Sequence, residues 1–131
     1  MTVRTIAKKE QTKLESFITH MRAISIKEPW CTLILEGSKT IETRTWRTPH
    51  RGKILLCASR YPESKISGNA FAIADLVDCR PMRKEDEEAA MCKRYHKAYS
   101  WVLNNVKNIE LFEVIGQLGL FKVDIRGKLE L

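Results

Sequence analysis

The first twenty residues carry apolar side chains at near-helical spacing. Lysines and glutamates separate these side chains, so the pattern predicts an amphipathic helix over residues 1–20. Such a helix would pack on the rest of the domain, on a second copy of the chain or on a protein partner. The alternative is a natural start at Met21, in which case residues 1–20 are an incidental extension. The apolar residues of this pattern are Ile6, Leu14, Phe17, Ile18 and Met21.

A short alternating segment and then a helical pattern follow. Residues 24–26 alternate in polarity, as a strand does. Pro29 suits the first position of a helix, where its missing N–H is not needed. Gly37 stands where a left-handed residue is expected after a helix, so a helix of about two turns is predicted over residues 29–36. One face of this helix carries Trp30, Leu33 and Ile34.

The next segment reads as a strand with a charged face. Residues 39–46 mix β-branched and aromatic side chains with charged ones, which favours a strand. Alternation along a strand places Glu42, Arg44 and Trp46 on one face. A turn over residues 48–52 and an apolar, buried strand over residues 53–59 follow.

The second half of the chain predicts further strands and one long helix. Residues 83–99 place acidic side chains in the first turns and basic ones in the last turns, which complements a helix dipole. Strands are predicted over residues 70–79, 101–103, 109–114 and 120–125, with a turn at Asn104 and Asn105. About five or six strands with two or three helices, and no regular βαβ alternation, predict an α+β protein with a mixed barrel.

The central stretch also carries a long ordered pattern. It contains Pro-Trp, then Gly-x-Lys-x-x-Glu-x-Arg-x-Trp, then Thr-Pro-His-Arg-Gly before an apolar strand. This order of positions resembles the activating signal cointegrator homology (ASCH) domain, over roughly residues 23–124. The resemblance implies a mixed β-barrel like that of pseudouridine synthases and archaeosine transglycosylases (PUA-like), a fold of RNA-associated proteins, over residues 21–131. The matching residues are Pro29, Trp30, Gly37, Lys39, Glu42, Arg44, Trp46, Thr48, Pro49, His50, Arg51 and Gly52.

Charge is concentrated in the first half of the chain. The 131 residues carry a formal net charge of +7. Residues 21–60 contribute +5, from eight basic and three acidic residues, residues 1–20 contribute +2, and residues 61–131 are balanced. A basic region with interleaved tryptophans and arginines suits RNA or a nucleotide, with DNA as the alternative polyanion.

Several classes of protein are disfavoured. The four cysteines are widely spaced and form no C-x-x-C pair, so free thiols are expected, without a metal site or cofactor. No apolar run approaches the length of a membrane span, and the first twenty residues lack a signal-peptide core. We therefore expect a cytoplasmic protein that does not associate with membranes.

Lys39, Glu42 and Arg44 form the most informative group of candidate site residues. Glu42 and Arg44 lie two apart on one strand face, and Lys39 lies at the start of that strand. A carboxylate accepts hydrogen bonds from a base, while Lys and Arg bind phosphate or stabilise an oxyanion. The alternative is a structural ion pair. Trp30 and Trp46 are candidate base-stacking surfaces, although either can equally belong to the core.

Three further residues complete the candidate ligand-binding set. His50 lies in the predicted turn, where it is either a functional group or a structural residue. Arg51 beside it is a candidate phosphate contact or an internal partner of Glu42. Ser59 lies at the end of the predicted buried strand, where its hydroxyl can point into a cleft.

Three functions remain open at this stage. The first is a nucleic-acid-binding module that holds phosphate and a base in a basic cleft. The second is a small hydrolase of RNA or of a modified nucleoside, with Lys39 and Glu42 as its catalytic residues. Some ASCH-like proteins resemble acetylcytidine amidohydrolases, but their catalytic threonine corresponds to Glu42 here, which weighs against the same reaction. The third is a protein-interaction module that recruits a partner through the N-terminal helix.

Overall fold

One curled sheet with two short helices makes up the part of the chain that the structure describes. The structure is a computed structural model that describes residues 19–129. Most of the predicted N-terminal helix lies outside these residues, and the first strand begins at His20. The elements in chain order are β1 (His20–Ile26), α1 (Trp30–Leu35), β2 (Ile41–Arg44), β3 (Gly52–Ala58), β4 (Asn69–Pro81), a 3-10 helix (Lys84–Asp86), α2 (Glu87–Ala90), β5 (Tyr99–Glu113) and β6 (Phe121–Asp124).

The six strands pair in the order β2-β5-β4-β3-β1-β6. β1 and β3 run parallel, and each of the other neighbouring pairs is antiparallel. The edges of the sheet are β2 and β6. The sheet curls into a half-barrel. The α+β class and the strand count predicted from the sequence are confirmed.

β3 is the central apolar strand around which both hydrophobic layers form. Ile54 and Leu56 belong to one cluster of buried residues, and Leu55 and Cys57 belong to another. Because successive side chains of a strand point to opposite faces, the two clusters lie on the two faces of the sheet. The first cluster includes residues of α1 and the second includes Phe121 of β6. The prediction of a buried strand over residues 53–59 is therefore confirmed.

The short helix α1 and its glycine agree largely with the pattern. Gly37 has φ of +82°, the left-handed conformation expected after the helix, and its N–H donates to the Ile34 carbonyl. Pro29 occupies the position before the helix, not its first turn, because the helix begins at Trp30. The Glu28 carboxylate accepts the Thr32 N–H at 2.9 Å and thereby closes the first turn.

The long helix predicted over residues 83–99 is wrong. A 3-10 turn and the four residues of α2 occupy its first part, and Met91 then ends α2 with φ of +54°. Residues 93–97 are all exposed and include no apolar residue other than a tyrosine, so a helix there would have no apolar stripe to bury. The Glu87 carboxylate instead accepts the Arg94 N–H at 2.7 Å and folds the chain back.

The turn predicted at Asn104 and Asn105 is also wrong. The backbone continues through both residues as one strand, β5, from Tyr99 to Glu113. The pairing of β4 with β5 shifts register at three places, and Asn105 has φ of +53°. An asparagine tolerates this conformation better than most residues, so it marks an irregularity inside a strand here and not a reversal.

Three further findings concern the described residues as a group. All four cysteines are free, with Cys31 and Cys57 buried and Cys79 and Cys92 half-buried. Within residues 19–129 no cluster of three or more His, Cys, Asp or Glu side chains is placed to hold a metal ion. No helix in the described range is long and apolar enough to cross a membrane.

A buried carboxylate fixes the turn that leads into α2. Asp86 accepts hydrogen bonds from the Arg80 guanidinium at 2.7 Å, the Arg83 N–H at 3.0 Å and the Ser100 hydroxyl at 2.9 Å. Burial opposes its ionisation, but these three donors together hold the pKa of Asp86 below its usual value. Asp86 therefore ties the end of β4 and the start of β5 to the base of α2.

We expect Asp86→Asn to lower the free energy of unfolding by about 2 kcal/mol at pH 7, because the amide replaces a charged acceptor. The folded-state pKa lies below the unfolded one, so the stabilisation is present above the unfolded pKa and is lost as pH falls through the folded pKa. Urea unfolding at pH 7 and pH 3 should therefore show a smaller difference from wild type at pH 3.

Glu85→Gln is the matched control, because Glu85 is the exposed neighbour in the same 3-10 turn. A control variant that loses as much stability as Asp86→Asn, or a difference that does not depend on pH, would contradict this role of Asp86.

Candidate functional site

A cleft of about 950 Å³ opens where the ends of β1 and β3 meet β2. Residues of α1, the segment after α2 and the β5–β6 connection complete its walls. A cavity of this size is at the upper end of the range that holds a small ligand. The candidate residues that line it are Trp30, Lys39, Glu42, Arg44, Trp46 and Ser59.

An ionic cluster of two cations and one anion forms part of the cleft wall. Glu42 Oε1 lies 3.7 Å from Lys39 Nζ, and Glu42 Oε2 lies 3.6 Å from Arg44 Nη1. The strand alternation of β2 places Glu42 and Arg44 on one face, and the turn after Gly37 brings Lys39 beside them. The cluster therefore carries a net charge of +1 when all three groups are ionised.

The three charged side chains differ in exposure, which divides their roles. The side chains of Lys39 and Glu42 are 2% and 6% exposed, whereas that of Arg44 is 25% exposed. Glu42 Oε2 is buried and has no hydrogen-bond partner among residues 19–129. The Arg44 guanidinium donates to the Ser25 carbonyl at 2.7 Å, which holds it across the cleft. Arg44 is thus the member of the cluster that a ligand can touch directly.

Lys39 is a buried cation with a fixed position. Its ammonium donates to the Ala90 carbonyl at the end of α2 and lies 4.9 Å from the centre of the Trp30 ring. Burial lowers the pKa of Lys39, and the Glu42 carboxylate opposes that shift. The carbonyl, the ring and the carboxylate together compensate the ammonium for the water that it has lost.

The two tryptophans are half-buried and border the cleft. The Lys39 ammonium covers one face of the Trp30 ring, so only the remaining ring surface is open to a ligand. The Trp46 ring packs edge-to-face on Trp101, with ring centres 4.8 Å apart. Both rings also contact the main hydrophobic cluster, so they join the core to the cleft.

Ser59 lies on the side of the cleft formed by β1 and β3. Its hydroxyl is 3.0 Å from the Ser25 hydroxyl, and its N–H donates to the Ile26 carbonyl. A Cβ atom on Gly116 would lie 3.3 Å from Ser25 Oγ, so the glycine lets the β5–β6 connection approach this side closely.

His50 and Arg51 do not line the cleft. His50 Nε2 donates to the Lys53 carbonyl at 2.9 Å. Arg51 donates to the Thr48 and His50 carbonyls and pairs with Asp78, not with Glu42 as one interpretation of the sequence had it. Both side chains stabilise the turn between β2 and β3, because Arg51 donates to carbonyls of the turn and His50 donates to a carbonyl at the start of β3.

Sequence reasoning missed several residues that line the cleft. Ser25 and Lys27 come from the end of β1, and Arg60 follows the end of β3. Cys92 and Tyr95 lie in the segment for which a helix was predicted, so their approach to the cleft had no local signal. The β5–β6 connection, residues 114–119, forms a further part of the rim.

A family model for the ASCH domain matches residues 24–113, which is more than half of the chain. The chain belongs to the ASCH domain family. The match includes all of the charged cluster as well as β2, β3, β4, α2 and β5. The resemblance inferred from the central sequence pattern is therefore confirmed.

Two curated relatives contain a region similar to this ASCH domain. Activating signal cointegrator 1 of Mus musculus is 22% identical over 127 residues, an alignment that covers 77% of this chain and 22% of that protein. Activating signal cointegrator 1 of Homo sapiens is 26% identical over 89 residues, which covers 50% of this chain and 15% of that protein. The chain therefore spans less than a quarter of the length of either relative.

Solved ASCH structures share the fold. The ASCH protein of Zymomonas mobilis aligns with a TM-score of 0.63 and 14% identity, covering 81% of this chain and 89% of that chain. A mutant of the Zymomonas protein aligns with a TM-score of 0.56 and 16% identity, covering 72% and 76%. The domain therefore has the PUA-like α+β fold of these ASCH structures.

We expect Lys39 and Glu42 to be coupled energetically. Removing either charge leaves the other buried beside a weaker set of partners, so Lys39→Met and Glu42→Gln should each destabilise the ASCH domain. The double variant should lose less stability than the sum of the single variants, with a coupling energy of about 1 to 3 kcal/mol in urea unfolding.

Lys53 and Asp75 provide the matched control pair. Their charged atoms are closer, at 3.0 Å, but 58% of the Lys53 side chain is exposed and water screens the pair. The cycle with Lys53→Met and Asp75→Asn should give a smaller coupling. Equal couplings in the two cycles would show that burial does not strengthen the cluster.

Proposed function

We propose that this ASCH domain binds single-stranded RNA by holding one nucleotide in the cleft. The observation that supports the proposal most is the charged cluster with two buried members and one partly exposed member, Arg44, in a cavity of about 950 Å³. A net positive cluster in a cavity attracts an anion or a carbonyl oxygen, and nucleotides present both. Lys27 and Arg60, which are exposed and line the same cleft, add positive charge at its mouth.

Arg44 is the direct contact in this proposal, and Lys39 and Glu42 support it. The Arg44 guanidinium uses one donor on the Ser25 carbonyl and retains others for a phosphate or base oxygen. One carboxylate oxygen of Glu42 pairs with the Arg44 guanidinium at 3.6 Å, and the other pairs with the Lys39 ammonium at 3.7 Å. Glu42 Oε2 is buried, so in this proposal Glu42 positions Arg44 and does not itself contact the base.

Aromatic side chains supply the second type of contact. The open surfaces of Trp30 and Trp46 can stack on an unpaired base, which is worth about 1 to 3 kcal/mol per base. A base that enters a cavity must be unpaired, so the geometry favours a single strand over a duplex. DNA of the same sequence is the comparison that tests the role of the ribose.

A hydrolase receives less support from the same residues. The Lys39 amine is engaged by the Ala90 carbonyl and is almost fully buried. Burial raises the pKa of the Cys57 thiol to about 12, so this thiol stays protonated and is a poor nucleophile. The Ser59 hydroxyl is paired with the Ser25 hydroxyl, which does not act as a general base.

We expect no release of acetate from acetylcytidine at high enzyme concentration, because Glu42 replaces the threonine of the amidohydrolase pattern. Acetate detection by coupled assay or NMR checks this. Turnover that Lys39→Ala abolishes would instead support the hydrolase function.

We expect Arg44→Ala to weaken binding of a labelled 12-nucleotide single-stranded RNA about tenfold, because the variant loses a charge-assisted contact. Fluorescence anisotropy measures the affinity. The affinity of wild type should also fall as salt rises, since phosphate contacts release counterions.

Arg22→Ala is the matched control, because Arg22 is an exposed arginine of β1 that does not line the cleft. Its effect should stay within about twofold. Equal losses in the two variants, or an affinity that is independent of salt, would refute RNA binding in the cleft.

A further inference from the structure

A basic loop, residues 92–97, lies directly beside the cleft. Its sequence, CKRYHK, contains Lys93, Arg94 and Lys97 and no acidic residue. All three cations are exposed, and none makes an ion pair with another residue between 19 and 129. The loop therefore carries three side-chain cations without an ion-pair partner in residues 19–129, and its one carboxylate contact is that of Glu87 with the Arg94 N–H.

Two side chains connect the basic loop to the cleft. Cys92 and Tyr95 both line the cavity, and Cys92 Sγ lies 3.9 Å from the Thr43 hydroxyl of β2. The Tyr95 ring is 42% exposed, so part of its surface is open to a ligand. An aromatic ring between cations is the combination that binds a single strand through stacking and phosphate contacts together.

The basic loop is held in place by the same elements that position the charged cluster. The Ala89 carbonyl at the end of α2 accepts the Thr40 N–H at 2.9 Å, and the neighbouring Ala90 carbonyl accepts the Lys39 ammonium. The Glu87 carboxylate accepts the Arg94 N–H, and the Ala98 N–H donates to the Tyr95 carbonyl. These hydrogen bonds connect the loop backbone to α2, whose last carbonyl accepts the Lys39 ammonium.

We propose that the basic loop is a second contact site for the RNA, which binds the nucleotides adjacent to the one in the cleft. This inference rests on the proposed function. Lys93, Arg94 and Lys97 hold the flanking phosphates, and Tyr95 stacks on the neighbouring base. Lys27 and Arg60 lie on the side of the cleft formed by β1 and β3, while the loop contacts β2. A strand therefore crosses the cleft from one basic side to the other.

The test compares two triple variants of the full chain that remove the same charge. Lys93→Gln, Arg94→Gln and Lys97→Gln neutralise the basic loop. Arg22→Gln, Lys107→Gln and Lys122→Gln remove three exposed cations of the sheet that do not line the cleft. All six side chains are exposed, so both variants should fold, and circular dichroism verifies this.

Anisotropy with the 12-nucleotide RNA should show at least about tenfold weaker binding for the loop variant. The slope of log affinity against log salt should fall in magnitude by about 2, since single strands lose about 0.7 per phosphate contact. The control variant should change both quantities much less. A dinucleotide, which occupies the cleft alone, should bind both triple variants within about twofold of wild type. Tyr95→Ala should weaken the 12-nucleotide RNA about tenfold.

Distinct outcomes separate this inference from the proposed function. Equal losses in the two triple variants, with Arg44→Ala still weakening the RNA, would overturn the loop site alone. A wild-type protein that does not bind the RNA, or an Arg44→Ala variant without effect, would overturn both. If the loop variant weakens binding of a poly-glutamate peptide but leaves RNA binding unchanged, the loop binds acidic protein segments and the inference is wrong.

Discussion

The site depends on the burial of Lys39, which places an ammonium where it cannot be solvated by water. Its position requires three compensating groups, namely the Glu42 carboxylate, the Ala90 carbonyl and the Trp30 ring. Each group comes from a different element, so the ammonium joins α1, β2 and the end of α2. Without it, Arg44 would be the one remaining ion-pair partner of Glu42 in the described part of the chain. The charged cluster is therefore both a structural junction and the support of the partly exposed Arg44 guanidinium.

This arrangement explains how a small domain can offer a preorganised cationic site. Arg44 does not need to be immobilised by the ligand, because the Ser25 carbonyl and the Glu42 carboxylate already restrain it. Restraint before binding reduces the entropy that the ligand must offset. The α2 carbonyls that hold Lys39 and Thr40 belong to the residues just before the basic loop, so the same contacts position the loop beside the cleft.

Local patterns predicted the parts of the fold that local forces determine. The left-handed Gly37, the buried β3 and the pairing of Glu42 with Arg44 on one face follow from glycine conformation and strand alternation, and the ASCH resemblance supplied the topology. The charge pattern over residues 83–99 led to the wrong prediction of a long helix. Acidic residues followed by basic ones suit a helix dipole, but they occur equally in a short acidic turn that is followed by a basic loop. Asp86 decides between them through contacts with Arg80 and Ser100, which no local pattern reveals.

The sequence predicted part of the candidate site, and local patterns again explain which part. Trp30, Lys39, Glu42, Arg44, Trp46 and Ser59 line one cleft, because they lie on or near adjoining elements of the central stretch. Arg51 and His50 are residue types that are common at ligand sites. Here Arg51 donates to the Thr48 carbonyl and His50 donates to the Lys53 carbonyl. Tyr95 reaches the cleft only through the tertiary fold, so its position in the cleft could not be predicted from the sequence.

The most direct measurement is an NMR titration of the full chain with an eight-nucleotide single-stranded RNA. Our account predicts that amide shifts of Thr43, Arg44, Tyr95 and Gly116, which line the cleft, change together with one affinity. Residues at the far end of β1 and in β6, such as Arg22 and Lys122, should remain unperturbed. Shifts that centre on β1 and β6, or that are spread evenly over exposed lysines and arginines, would contradict a binding site in the cleft.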